Sequence, residues 1–213
     1  YRSQSYYDQG GWRATWDGEG GGVLLNQNPH NLDLWQWMCG MPKRVKSQVY
    51  YGKHRNIEVE DDLYALVEYE NGATGCYITT VGDAPGSNRL EIDGTNGKIV
   101  VENNQLTFYR LRVPEPEFNA TYKGGLGKPE VWECKIPVTG SYTSHPGIIN
   151  NFCDCILKGA KPIAPGAEGI RGLQISNAIH LSSWMDGAWV ELPVDGDLFV
   201  SKLQQHCKNP VVE

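Results

Sequence analysis

Apolar side chains recur along this chain in two rhythms, and the change of rhythm divides it. Between Gly22 and Cys39, a helical stripe is formed by Val23, Leu24, Leu25, Leu32, Leu34, Trp35, Trp37 and Met38. Pro29 interrupts the stripe, because an interior Pro removes one helical hydrogen bond and clashes one turn back. The helix is therefore expected to kink or restart near Asn28. Gly40, followed by Met41-Pro42, is a stop signal. Residues 1–19 are aromatic, polar and dotted with glycine, and read as an irregular lead-in with one short strand.

From residue 43 the period becomes two. VKSQVYY (45–51), LYALVEY (63–69) and ATGCYITTV (73–81) read as strands, with Asn71-Gly72 a strong hairpin signal between the last two. RLEIDG (89–94) and KIVVEN (98–103) flank the tight turn GTNG, and QLTFYRLR (105–112) returns after Asn103-Asn104. A Pro/Gly-rich loop, 114–130, leads to the strand VWECKIPV (131–138). Helices follow at 145–159 and 167–187, then a short strand at 189–193 and a last helix at 197–207. Hairpin-linked strands make an antiparallel sheet. Helices set apart from them give an α+β class: an open, mainly antiparallel sheet with helices packed on one face. Along 63–69 apolar side chains fall on both faces, so the second face is expected to be covered by another copy of the chain.

Composition narrows the function. The 213 residues suffice for one large or two small domains with a sizeable core. A net charge of −6 argues against a nucleic-acid partner, which would need a basic face. No apolar run approaches the roughly 18 residues that suggest a membrane span. The opening YRSQSYYDQGGWRATW has no charged start followed by an apolar core, so it is no signal peptide. A cytoplasmic protein is expected, with its six cysteines, none in a CxxC pair, as free thiols. The chain starts without Met, which suggests a fragment or excised domain.

Candidate chemistry lies inside the first helical stripe, at Asn26, Gln27, Asn28, His30 and Asp33. On a continuous helix Asn26 and His30 would share a face, about 5–6 Å apart at Cβ. An amide and an imidazole could then meet one ligand, and imidazole suits acid–base chemistry near neutral pH. Asp33 could fix the imidazole tautomer or cap backbone after the Pro29 break. His30 can equally be a packing histidine satisfied by a local carbonyl. His145 reads as a helix-start residue, His180 as core, and His54 and His206 as surface. Glu58, Glu60, Asp61 and Asp62 lack the spacing of an EF-hand loop and read as a solvated strand end. Trp12, Arg13, Trp16, Tyr6 and Tyr7 form an aromatic–basic cluster suited to sugars or carboxylates, or to anchoring a terminus. No GxGxxG, phosphate-binding GxxxxGK[ST] or GxSxG elbow occurs.

In combination, four segments resemble the C-terminal domain of the Gfo/Idh/MocA oxidoreductases: GGGVLLNQNPHNLDLWQWMCG, VEDDLYALVEYENGATG, LEIDGTNGKIVVE and PIAPGAEGIRGLQISNAIHLSSW. The resemblance covers essentially the whole chain, 1–213, as one substrate-binding and oligomerisation domain with a dihydrodipicolinate-reductase-like fold. It implies that a Rossmann domain, absent from this chain, binds NAD or NADP and carries a Glu-Lys-Pro motif. It implies a carbohydrate-like substrate (a sugar, cyclitol or glycoside) and a homodimer or homotetramer formed through the sheet. The family's Asp-x-x-x-His pair falls on Asn26 and His30. His30 is then the acid/base on the substrate hydroxyl, with Asn26 orienting, since an amide takes up no proton. Trp12, Arg13 and Asp33 are the implied substrate contacts, and no metal is implied. The glycines would let a cofactor-bearing neighbour approach closely. The alternative is a non-catalytic oligomerisation or binding module.

Overall fold

The computed structural model describes residues 1–140 and 143–208. In chain order the elements are α1 (Gln4–Tyr7), a π-helical turn (Val23–Gln27), α2 (Pro29–Cys39), β1 (Arg44–Tyr51), β2 (Glu60–Glu68), β3 (Thr74–Thr80), β4 (Arg89–Gly94), β5 (Gly97–Glu102) and β6 (Gln105–Leu111). Next come α3 (Glu115–Thr121), β7 (Val131–Ile136), α4 (Ser144–Lys158), a 3₁₀ turn (Gly166–Gly169), α5 (Ile170–Trp184), β8 (Val190–Glu191) and α6 (Gly196–Gln204). The fold is α+β with open antiparallel sheets, as the patterning predicts. The strands divide into two sheets, however, in the orders β3-β2-β1-β8 and β4-β5-β6-β7. The linking stretch VGDAPGSN (81–88) is polar and rich in Gly and Pro, so it cannot continue a ladder. The lead-in forms the short helix α1 rather than a strand, and α3 occupies part of the expected 114–130 loop.

Two compact units result: residues 1–85 with 157–213, and residues 86–156. In the first, Val45, Ser47 and Val49 of β1 stand opposite Val67, Ala65 and Leu63 of β2. All six are buried, and α5, whose Ile175, Ala178, Ile179 and Leu181 are buried too, packs on β1. The Ser47 hydroxyl donates to the Ile179 carbonyl at 2.5 Å, and its N–H donates to Ser182 Oγ at 2.9 Å, which fixes α5 on the sheet. Trp35 of α2 stacks on Tyr77 of β3 with centroids 5.3 Å apart. The opposite face of this sheet carries exposed Tyr50, Tyr64, Leu66 and Ile78. The Asn71-Gly72 turn closes β2 on β3, with Gly72 at φ +84°.

In the second unit, cross-strand pairs align Leu90 with Val101, Ile92 with Ile99, Ile99 with Phe108 and Val101 with Leu106. These share one apolar face. Its reverse carries the ion pairs of Arg89 with Glu91 and Glu102, and of Lys98 with Glu91 at 2.7 Å. Asn103 and Asn104 take φ of +52° and +58° in the turn between β5 and β6, a conformation that asparagine tolerates.

No helix among the described residues is long and apolar enough to cross a membrane. All six cysteines are free, as expected.

Candidate functional site

The glycine-rich segment 20–22 is shaped by what it packs against. A Cβ on Gly22 would lie 2.3 Å from the Glu60 carbonyl oxygen and 2.7 Å from Val59 Cγ2. Only glycine fits there, and the close approach it permits is to the start of β2. The chain then enters a wide turn in which the Asn28 N–H donates to the Val23 carbonyl at 2.8 Å, a five-residue span. Pro29 takes the first position of α2, where its missing N–H is harmless. The restart at Asn28 is therefore the one expected. It places Asn26 and His30 on separate helical elements, so the shared face of a continuous helix is not formed.

Each polar residue of this stretch has a distinct environment. Asn28 holds the break against β3: its Nδ2 donates to Thr79 Oγ1 at 2.8 Å, and its carbonyl accepts from Tyr77 Oη at 3.4 Å. Gln27 buries both side-chain amide atoms with no hydrogen-bond partner among the described residues. The Asn26 amide nitrogen donates to the Glu19 carboxylate. His30 is exposed in the first turn of α2. Asp33 is exposed and accepts from Gln36 Nε2 at 2.9 Å, so it is tied to its own helix.

The aromatic–basic cluster splits in two. Tyr7 and Trp16 are buried. At the surface the Arg13 guanidinium lies 4.6 Å from the Tyr6 ring centre and 5.0 Å from that of Trp12, whose own ring is 53% exposed. Glu19 connects this corner to the wide turn, because its other oxygen accepts from the Ala14 N–H at 2.7 Å.

The acidic run at the start of β2 corrects an expectation: Glu60, Asp61 and Asp62 are buried, not a solvated strand end. Each is enclosed because it serves backbone or side-chain donors. Glu60 accepts from the Gly22 N–H at 2.7 Å and the Leu24 N–H at 2.9 Å. Asp61 accepts from the N–H groups of Lys53, His54 and Arg55, closing that loop. Asp62 accepts from Lys53 Nζ at 2.5 Å and meets His54 Nε2 at 2.9 Å.

Burial pushes the Glu60 carboxyl up to about 7 against the pull of those N–H donors. His180 is core, as predicted. Burial, and then nearby His206, lowers it to about 3, so its ring is neutral. Trp16, Tyr51 and Trp184 surround it.

Glu19 had no signal in the sequence, and Glu60 showed there only as one of an acidic run. One lies between glycines, and the other begins a strand among acids that look solvated. Two shallow concavities, of about 250 and 380 Å³, are lined respectively by Gly11, Thr15, Asp17, Gly18, Glu58 and Lys208, and by residues around Lys46, Tyr64 and Leu66. Neither includes Asn26 or His30.

The model of the GFO/IDH/MocA C-terminal domain matches residues 1–100, the segment holding Glu19, Asn26, His30 and Glu60. Residues 1–100 belong to the GFO/IDH/MocA C-terminal domain family. Solved structures extend the likeness along the chain. A WlbA dehydrogenase from Chromobacterium violaceum, in complex with NADH and UDP-GlcNAcA, is 30% identical with a TM-score of 0.70. The match covers 91% of this chain and 52% of that one. A WlbA dehydrogenase from Bordetella pertussis, in complex with the same two molecules, is 25% identical with a TM-score of 0.62, over 91% and 52%. A levoglucosan dehydrogenase in complex with NADH and L-sorbose shares the fold at 20% identity and a TM-score of 0.64, over 88% and 55%. The chain thus spans about half the length of these proteins. No curated protein sequence matches it.

Within the GFO/IDH/MocA domain, the glycines do not form a phosphate cradle. The Gly22 and Leu24 N–H groups that could meet an anion are already held by Glu60.

Proposed function

We propose that this chain is the substrate-binding and self-associating half of an NAD(P)-dependent oxidoreductase acting on a carbohydrate-like molecule: a sugar, cyclitol or glycoside. The observation that carries the reading is the 30% identity, over 91% of this chain, to a dehydrogenase crystallised with NADH and a nucleotide sugar. Residues 1–213 act as one functional domain. A nicotinamide cofactor, bound mainly by a Rossmann domain outside this sequence, supplies hydride chemistry to such an enzyme. The N–H groups beside the glycines here are occupied and do not fit its phosphates.

The chain's own residues have separate roles. His30, exposed and unpartnered among the described residues, holds the proton of the reacting hydroxyl. Asn26 orients the substrate, since its amide takes up no proton. The exposed Trp12 ring stacks on the sugar, and Arg13 beside it meets polar or anionic substituents. Asp33 lines the same helix start. The reaction is either net oxidation of a hydroxyl or a redox-neutral rearrangement through a transient ketone. Self-association, as a homodimer or homotetramer, uses the sheet face bearing Tyr50, Tyr64, Leu66 and Ile78. A cytoplasmic setting suits six free thiols.

The test is a panel of sugars, cyclitols and nucleotide sugars offered to the full-length protein with NAD and NADP, followed by nicotinamide absorbance. Conversion of one substrate class is expected, with lasting nicotinamide reduction for net oxidation and product without it for the redox-neutral course. That exposed apolar face also favours a second reading, a non-catalytic sheet-mediated oligomerisation or binding module. Stable self-association without turnover or nicotinamide binding would favour it over the first.

A further inference from the structure

The side-chain amide of Asn26 has two ends with opposite hydrogen-bonding character, and its chemistry depends on which end faces the substrate. Its nitrogen donates to one oxygen of Glu19. The second Glu19 oxygen accepts from the Ala14 N–H at 2.7 Å. Ala14 is buried at φ +60°, a backbone conformation that an alanine keeps only when its surroundings hold it. An ionised carboxylate only accepts. With Glu19 present, therefore, the Asn26 nitrogen must face it and Oδ1 must face away. The orientation follows from donor–acceptor chemistry rather than from an arbitrary choice between two similar amide poses. Glu19 also joins the two sides of the candidate site, the Trp12–Arg13 corner through Ala14 and the wide turn through Asn26.

We propose that Glu19 is a positioning residue that locks the Asn26 amide with Oδ1 as a hydrogen-bond acceptor for a substrate hydroxyl. This rests on the oxidoreductase reading above. Accepting from that hydroxyl aims its oxygen without removing its proton, which leaves the proton to His30. The locked acceptor selects a substrate that presents an O–H donor at this point, and it discriminates against deoxy analogues and ethers.

Glu19→Gln separates positioning from structure. The carbonyl of the introduced amide still accepts from Ala14, and its NH₂ group then donates toward Asn26. The Asn26 amide must turn over to accept that bond, so its NH₂ end replaces Oδ1 at the site. Both hydrogen bonds survive while the polarity facing the substrate reverses. Combining Glu19→Gln with Asn26→Asp restores the original arrangement with partners exchanged, because a carboxylate at 26 accepts from the new amide and offers its second oxygen to the substrate.

In the full-length protein, with its best carbohydrate substrate, Glu19→Gln is expected to leave the melting temperature nearly unchanged and to lower kcat about 10- to 100-fold, the span implied by leaving one polar group at the site unsatisfied. KM should move far less. Asn26→Asp alone sets two carboxylates face to face and should also lose activity, while the double variant recovers most of kcat. A Glu19→Gln enzyme as fast as wild type, or a double variant no better than the worse single one, overturns the positioning role and leaves the oxidoreductase reading standing. A wild-type protein that neither converts any carbohydrate nor binds either cofactor overturns that reading and this inference with it.

Discussion

The carboxylate of Glu60 lies 3.6 Å from the imidazole of His180, and both side chains are sealed from solvent. Neither His180 ring nitrogen has a hydrogen-bond partner among the described residues. Two titratable groups are thus enclosed together, each driven toward its neutral form.

Their opposite shifts predict opposed contributions to stability at acid pH. Glu60 rises from 4.5 to about 7, so its contribution to stability is present below pH 4.5 and is lost as pH rises through about 7. His180 falls from 6.5 to about 3, so its contribution is present above pH 6.5 and is lost as pH falls through about 3. Between pH 4.5 and 6.5 the two slopes oppose each other. Glu60→Gln removes one of them, and stability should then climb more steeply with pH across that window than in wild type. Urea midpoints measured across the window check this. A variant with the pH profile of wild type would show that the pair does not titrate as described.

Gly22→Ala should destabilise by roughly 3 kcal/mol, the upper end of overpacking costs. The added Cβ meets backbone oxygen at 2.3 Å, not a flexible side chain. Gly11→Ala is the control, since nothing lies within 4 Å of its Cβ position. Melting temperatures of the two variants should separate by several degrees, and equal values would remove the packing argument for the glycine.

His30→Ala in the full-length protein should lower kcat about 10²- to 10⁴-fold, the usual worth of a general acid–base group. His30 is exposed, so the fold should be undisturbed. Unchanged kcat on the sugar that wild type oxidises would take His30 out of the chemistry.

Leu66→Lys places a charge in the middle of the open sheet face, at a side chain that is 54% exposed. A monomer unfolds no more easily from such a change, but an assembly through that face dissociates. Sedimentation velocity should therefore show a smaller species for the variant. An unchanged sedimentation coefficient would mean that assembly, if any, uses another surface.

Local rules carried much of the fold. The Asn71-Gly72, Thr95-Asn96 and Asn103-Asn104 turns, the break at Asn28 and the α+β class all follow from residue preferences and periodicity acting over a few positions. The division into two sheets does not, since alternation tells which face a residue takes but not which strand lies beside it. The site divides in the same way. The polar positions Asn26, His30 and Asp33 stand out in sequence because they interrupt an apolar stripe. Glu19 and Glu60 stand out only in three dimensions. A carboxylate becomes an organising group when folding surrounds it with N–H donors, and those of Gly22 and Leu24 are 38 and 36 residues from Glu60. Apart from α1 and α3, sequence alone determined which segments are helix, strand and turn, because those choices depend on neighbours along the chain. Tertiary structure decided which acids are buried and which way the Asn26 amide faces, because both depend on partners that only folding brings within hydrogen-bonding reach.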